Sequence, residues 1–407
     1  MVSVYLDQSA YSQFLNASPA NWKEAPVAKV LLAAMASGEA LVWASPTNVL
    51  ETLQSDDRKK QLAEIMLCLT EAKRMWEGHE FTRIKDFLEF FNMLAPGFWR
   101  EKEFYKHHSQ DARRTWIGAL ALLACPQEFD LSGLVATAQK NKAISRLLHA
   151  QFAADPSRFI RYVHETVTER KTTNANPLAH LEKLTTEDIE AQIAALQTKF
   201  QKFGKKDLQV LNKNRAKWAS MFGTIEIGRI LQSIFDLPME LILMINAVPV
   251  VRNWPKIRKR LGCGTLPRAI AEASDHVLLA DMDAIRNVLQ ETIFAAASAP
   301  LLSSAIGYEV IFRDLQRCIN DKTIPTGGLA FDADHAAAIM CFNIFISNDR
   351  ILVDSLKTLS KRLSEGSKGL LQPSIVTTAE ELKKAIHNQQ ALSAKRIKHP
   401  DWAEEVI

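Results

Sequence analysis

Apolar residues along this chain follow two rhythms, and the change between them divides it. Val2-Ser3-Val4-Tyr5-Leu6 is short, β-branched and aromatic and ends at Asp7. That pattern predicts a strand, with a helix from about Ser9 to Leu15 behind it. A second apolar run, Ala40-Leu41-Val42-Trp43-Ala44, leads into Ser45-Pro46-Thr47. Proline is favoured just inside a helix start, so a helix containing Glu51 is expected next. From about Arg58 to Asn320 the spacing becomes helical. Leu62, Ile65, Met66 and Leu69 recur at i, i+3, i+4 and i+7, and Trp116, Leu120, Leu123 and then Ile189, Ile193, Leu196 repeat the pattern. No strand-like alternation and no repeat period interrupts it.

Strand and helix signals return near the other end. Gly327-Gly328 breaks the chain, and Asp332 opens an alanine-rich helix predicted over Ala333 to Phe342. Ile344-Phe345-Ile346-Ser347 reads as a short buried strand ending at Asn348-Asp349, with a helix from about Ile351 to Leu363 after it. Ser374-Ile375-Val376-Thr377 reads as a last strand and Ala379 to His387 as a last helix. Strand–helix alternation at both ends, with helices between, implies one α/β sheet interrupted by an all-α insertion. The core is expected at 1–57 and 321–407, and the insertion at 58–320.

Composition narrows the setting. The 407 residues are 47% hydrophobic, enough for one or two buried cores. A net charge of +4 permits a nucleic-acid partner without requiring one. Cys68, Cys125, Cys263, Cys318 and Cys341 are scattered and form no CxxC. Neither a disulfide framework nor a zinc site follows, and a reducing cytoplasm is the expected location. The first residues lack the basic region of a signal peptide. The most apolar stretch, Phe235 to Val251, contains Asp236, Glu240 and two prolines. It reads as buried rather than membrane-spanning, and no membrane partner is expected.

Parallel α/β sheets place functional groups at the carboxyl ends of their strands. Asp7 and Asp349 fall there, and Glu51 and Asp332 lie near helix starts that can face the same edge. Each has a plainer reading: Asp7, Asp332 and Asp349 as helix caps or turn formers, Glu51 as a solvated helix residue. Four converging carboxylates repel one another unless cations neutralise them, and hard oxygen ligands suit Mg²⁺ or Mn²⁺. Such ions activate water and stabilise the leaving oxygen of a phosphodiester.

Leu6-Asp7-Gln8-Ser9-Ala10-Tyr11 resembles the opening motif of PIN-domain nucleases, an apolar strand ending in Asp-x-Ser. Ala44-Ser45-Pro46-Thr47-Asn48-Val49-Leu50-Glu51 resembles the family's second element. Asp332-Ala333-Asp334-His335-Ala336-Ala337-Ala338 is similar to its alanine-rich helix, and Phe345-Ile346-Ser347-Asn348-Asp349-Arg350-Ile351-Leu352 to its last strand and acidic turn. The four motifs stand in the family's order over about residues 1–56 and 325–390. The resemblance implies a three-layer αβα sandwich with a central parallel sheet and divalent-metal hydrolysis of phosphodiesters, most often in RNA. Asp7, Glu51, Asp332 and Asp349 would be the ligands, with Ser9 and Asn348 as polar supports. Asp334 shares a helical turn with Asp332. Two residues apart they stand about 200° around a helix, so Asp332, the better motif match, is expected to be the principal ligand. The helical insertion departs from compact members of the family.

Two basic runs fit a nucleic-acid partner. Lys199, Lys202, Lys205, Lys206, Lys213, Arg215 and Lys217 surround Phe200, Phe203 and Trp218; Arg252, Lys256, Arg258, Lys259 and Arg260 surround Trp254. Interleaved aromatics and cations suit backbone contact plus base stacking. A solvated helix face with its aromatics turned inward explains the same pattern. His107 and His108, near Asp111, read as surface histidines, and His335 as packing beside the acidic site. The expectation is a metal-dependent endonuclease acting on RNA more readily than DNA, restrained by a protein partner or a second copy. The competing expectation is a catalytically inactive scaffold of the same fold that binds nucleic acid or protein. A hydrolase using Asp7 as nucleophile would want an acid at position 9, where Ser9 stands. A dinucleotide-binding protein would want GxGxxG, which is absent.

Overall fold

The computed structural model describes residues 1–18, 21–55, 58–96, 102–125, 130, 132–155, 183–202, 204–215, 247–261, 265–266, 302–325, 328–366 and 372–393. They form two compact units: 1–78, 112–138 and 334–407 in the first, 79–111 and 139–333 in the second.

The first unit is built on a four-stranded parallel sheet in the order β2-β1-β3-β4. The strands are β1 (Val2–Leu6), β2 (Ala40–Trp43), β3 (Ile344–Ile346) and β4 (Ser374–Val376). Tyr5 lies opposite Trp43 on one side and Phe345 on the other, while Ile346 lies opposite Val376. Successive side chains on a strand point to opposite faces, and both faces of β1 are buried. Val2, Val4 and Leu6 join Val42, Ile344, Ile346 and Val376 in one hydrophobic cluster. Helices α1 (Gln8–Ala17) and α2 (Pro26–Ala36) cover it with Tyr11, Phe14, Ala28 and Leu31. Tyr5 turns the other way, into a ring cluster with Trp76, Phe342 and Phe345.

Helix α3 (Pro46–Leu53) starts where the Ser45-Pro46 signal places it. Helix α4 (Lys59–Leu69) buries Leu62, Ala63, Ile65, Met66 and Leu69 in the same cluster as β1, and Leu120 and Leu123 join them. The sheet-bearing unit therefore takes in 58–78 and 112–138 beyond the expected 1–57, and at the other end it begins at Asp334 rather than at residue 321. The helical spacing of these residues is as expected. What spacing does not give is the surface that an apolar stripe covers, and here it is the sheet.

Among the described residues between Trp43 and Ile344 every regular element is helical; a single parallel bridge joins Ala44 to Met75. The second unit has its own cores, one around Phe152, Phe200, Phe312 and Leu315, another around Leu147, Ile189 and Ile193. In it the half-buried Arg313 pairs with the buried Glu309 at 3.0 Å, and Arg215 pairs with the same carboxylate.

At the chain's far end α5 (Leu329–Ala336) begins three residues before the expected opening at Asp332. The Asp332 amide donates to the Gly328 carbonyl at 2.9 Å, so Asp332 sits inside the first turn rather than capping it. Ala337–Met340 then tightens into a 3-10 turn, common at helix ends. Helix α6 (Arg350–Gly366) and helix α7 (Ala379–Ser393) follow β3 and β4. No helix among the described residues is long and apolar enough to cross a membrane. The stretch from Phe235 to residue 246 lies outside the described residues, while Ala247–Arg252 is helical.

Candidate active site

In the order β2-β1-β3-β4, the connection from β1 leads to one side of the sheet and that from β3 to the other. A crevice at the carboxyl ends of two such strands is where open α/β sheets bind ligands. Asp7 follows β1 and Ser347-Asn348-Asp349 follows β3, so the two acidic turns meet at this point.

Asp7 caps α1, and its side chain is 3% exposed. Oδ1 accepts from the Ala10 amide at 3.0 Å, and Oδ2 from the Ser347 hydroxyl at 2.7 Å. The Ser9 hydroxyl lies 2.8 and 3.0 Å from the two oxygens. Ser9 has one proton, so three donors serve about four lone-pair sites and one is left over. Burial pushes the Asp7 carboxyl above the usual carboxylate range; the nearby His335 and the hydrogen bonds of Ser347, Ala10 and Ser9 pull it back.

Ser9 also reaches across 340 residues of sequence. Its oxygen accepts from the amides of Asn348 at 2.7 Å and Asp349 at 3.1 Å. Asp349 Oδ1 in turn accepts from the amides of Ile351 and Leu352 at 2.8 and 2.9 Å, capping α6. Among the described residues Oδ2 of Asp349 has no hydrogen-bond partner.

Glu51, on α3, joins this edge through a buried chain. Its Oε2 lies 2.7 Å from Nε2 of His335, and His335 Nδ1 lies 2.5 Å from the Tyr5 hydroxyl. Tyr5 stands 2.7 Å from the Ser45 hydroxyl, the N-cap of α3. Asn48 completes the cap and donates from Nδ2 to the Leu6 carbonyl at 3.1 Å, tying α3 to β1. Burial raises the Tyr5 phenol well above its ordinary value; the Ser45 hydrogen bond opposes this, and the charges of Glu51 and Asp7 add to it. Tyr5 therefore remains a protonated hydroxyl. Glu51 Oε1, like Asp349 Oδ2, has no partner among the described residues.

Asp7, Glu51 and Asp349 thus share the carboxyl edge of one sheet. Ser9 hydrogen-bonds both Asp7 and the Asn348-Asp349 turn, whereas exposed Asn348 contributes its backbone amide. Asp334 falls in the same unit, and Asp332 in the other. Tyr5 and Ser347 escape sequence reading, and His335 enters it only as a packing residue. One signal was available: a buried tyrosine needs a partner for its hydroxyl, which marks Tyr5 inside a mostly aliphatic strand.

The donor set suits a hard divalent cation: three carboxylates, each steadied by hydrogen bonds to one or both oxygens, with at least one lone pair spare. Among the described residues no group of three or more His, Cys, Asp or Glu side chains is assembled to hold one ion. Mg²⁺ usually keeps several waters and takes only one or two carboxylates, with substrate phosphates completing its shell.

In the second unit Arg252, Lys256, Arg258, Lys259 and Arg260 are exposed while Trp254 and Ile257 are buried. Trp254 is therefore turned into the protein rather than offered to a base. Lys256 Nζ donates to the Met93 carbonyl at 2.5 Å. Lys205 and Lys206 are exposed at the start of a helical run over 205–215, and Phe200 is fully buried. Phe203, Lys217 and Trp218 lie outside the described residues. His107 and His108 lie on the helix Lys102–Ala124.

Neither a family model, nor a curated protein, nor a solved structure matches this chain.

Proposed function

We propose that the protein is a PIN-like, divalent-metal-dependent endonuclease, acting on RNA more readily than DNA, with the first unit as its three-layer αβα catalytic core. The observation that carries this reading is the meeting of Asp7 and Asp349 at the switch point between β1 and β3, with Glu51 held to the same edge. Carboxylates at one sheet edge, Asp7 buried and Glu51 and Asp349 partly so, favour a cation that neutralises them. Mg²⁺ or Mn²⁺ bound there would supply a metal-activated water and stabilise the leaving oxygen. One or two of Asp7, Asp349 and Glu51 would hold the ion directly, with waters and substrate phosphate completing its shell. Ser9 and Ser347 orient Asp7 by donating to it. Ser9 fixes the Asn348-Asp349 turn beside it. The exposed cations of the second unit fit a phosphate backbone, by charge and not by stacking.

The test is incubation of the full chain with labelled single- and double-stranded RNA and DNA, with and without Mg²⁺ or Mn²⁺. Cleavage is expected only with metal, and Asp7→Asn is expected to abolish it. Asparagine also caps helices well, so α1 should survive the change. Undiminished cleavage by Asp7→Asn protein without metal would end this reading.

A second reading has its own support. Asp7 and Asp349 both cap helices, and no group of three acids is assembled among the described residues. The same fold would then serve as an inactive scaffold that binds nucleic acid or protein. It predicts nucleic-acid binding indifferent to Mg²⁺ and no cleavage of any of the four substrates.

A further inference from the structure

The hydrogen bonds of His335 to Tyr5 and Glu51 point to one task. The ring is 1% exposed and bridges Tyr5 and Glu51, donors and acceptors drawn from β1, α3 and α5. With the ring neutral, the Tyr5 hydroxyl donates to Nδ1 and Nε2–H donates to Glu51; the Ser45 hydroxyl then donates to the Tyr5 oxygen. With the ring charged, Nδ1–H donates to Tyr5, Tyr5 to Ser45, and Ser45 to Asn48 Oδ1, which lies 3.1 Å away. Both directions satisfy every member. In both, Nε2–H donates to Glu51. The tautomer with a bare Nε2 would set a lone pair against a carboxylate, so it is disfavoured.

We propose that Tyr5 and His335 are positioning residues that hold one oxygen of Glu51 so that the other is presented to a divalent cation. This rests on the reading of Glu51 as a metal ligand. Glu51 has three side-chain torsions and an 18% exposed side chain, so without a fixed partner its carboxylate would sample many directions. Anchoring the ring at Nδ1 through Tyr5 sets its plane, and the ring sets Oε2. The phenol is itself fixed by the Ser45 hydrogen bond and by packing against Trp76, Phe342 and Phe345. Residues that orient ligands in this way typically change metal affinity by 10–100-fold when removed.

The test uses the full chain and Mn²⁺ alone, with affinity read by calorimetry and folding by circular dichroism. The amide nitrogen of glutamine reaches about where Nε2 lies, that of asparagine about where Nδ1 lies. His335→Gln is therefore expected to keep Mn²⁺ affinity near wild type, and His335→Asn to lose about tenfold or more. Tyr5→Phe keeps the aromatic packing, frees the ring, and is expected to weaken Mn²⁺ in the same direction. A packing defect would affect both His335 variants alike, so the contrast between them separates positioning from structure. Glu51→Gln is the control. If it weakens Mn²⁺ binding while His335→Asn and Tyr5→Phe bind as wild type, Glu51 is a ligand and the positioning role is overturned. If Glu51→Gln itself leaves Mn²⁺ binding unchanged, the ligand assignment fails and the positioning role falls with it.

Discussion

Two serines do different work at the acidic edge. Ser347 is buried and gives the Asp7 carboxylate its shortest hydrogen bond, 2.7 Å. Ser9 gives the same carboxylate a shared proton and accepts the amide of the exposed residue Asn348 at 2.7 Å, while the Asp349 amide is shared between Ser9 at 3.1 Å and Ser347 at 3.0 Å. Hydrogen bonds to charged groups contribute about 1.5–3 kcal/mol, neutral ones about 1. Ser347→Ala should therefore cost about 2–3 kcal/mol and Ser9→Ala about 1–2, since water can replace part of what Ser9 supplies. Urea unfolding of the two variants checks the order. A Ser9→Ala protein less stable than Ser347→Ala would show that the turn, not the carboxylate, is the costly partner.

Helix starts carry much of the unit's local order, and α7 gives the clearest case. Thr378-Ala379-Glu380-Glu381 forms a capping box: the Glu381 amide donates to the Thr378 hydroxyl at 3.2 Å, and Glu381 Oε2 accepts the Thr377 and Thr378 amides at 2.7 and 3.2 Å. The amide of Thr377, more than any other group, holds the Glu381 carboxyl below its ordinary value. A depressed folded-state value means the ionised form is favoured in the folded state. Its contribution is thus present above the unfolded carboxyl's range and lost as pH falls through the lowered folded value. Glu381→Ala should lower stability by about 1 kcal/mol at pH 7. The difference from wild type should hold from pH 7 down to the unfolded carboxyl's range and shrink below it, as measured by unfolding midpoints from pH 7 to pH 3. A gap that stayed constant across that range would assign the loss to packing rather than to the ionised cap.

At the scale of the whole molecule, the division into a sheet-bearing unit and a helical one assigns charge as well as structure. Arg258, Lys259 and Arg260 are exposed on the helix Trp254–Leu261, opposite its buried Ile257. If this face meets a nucleic-acid backbone, each phosphate contact releases counterions and steepens the salt dependence of binding. Changing these three residues to Ala is expected to weaken binding and reduce the logarithmic salt slope by about 0.7 per lost contact on a single strand. Lys256 is left in place because its ammonium is bonded to the Met93 carbonyl. Trp254→Phe should leave affinity unchanged, because the ring is 5% exposed and has no face to offer a base. A fluorescence-anisotropy titration at several salt concentrations measures both, and unchanged affinity and slope in the triple variant would make this face a solvated surface.

Strand and helix placement near both termini is local physics, and it is legible in the chain. Val2–Leu6 and Ile344–Ile346 are apolar runs too short for helices, and Ser45-Pro46 is a helix start written in two residues. Asp7 and Asp349 could be marked for the same reason, because an acid directly after a strand stands at the sheet's edge wherever that strand goes. Which strands are neighbours is another matter. That β1 lies between β2 and β3 depends on burying both faces of one strand, a condition met only when residues 340 apart in sequence close on each other. The attachment of α4 and of Leu120 and Leu123 to the sheet was likewise beyond periodicity, which gives the direction of an apolar stripe but not its partner. The chain from Ser45 through Tyr5 and His335 to Glu51 was the least legible of all. It joins four residues of different types from three elements, β1, α3 with its cap, and α5, and only the folded backbone brings their polar atoms within hydrogen-bond reach while excluding the water that would otherwise satisfy them.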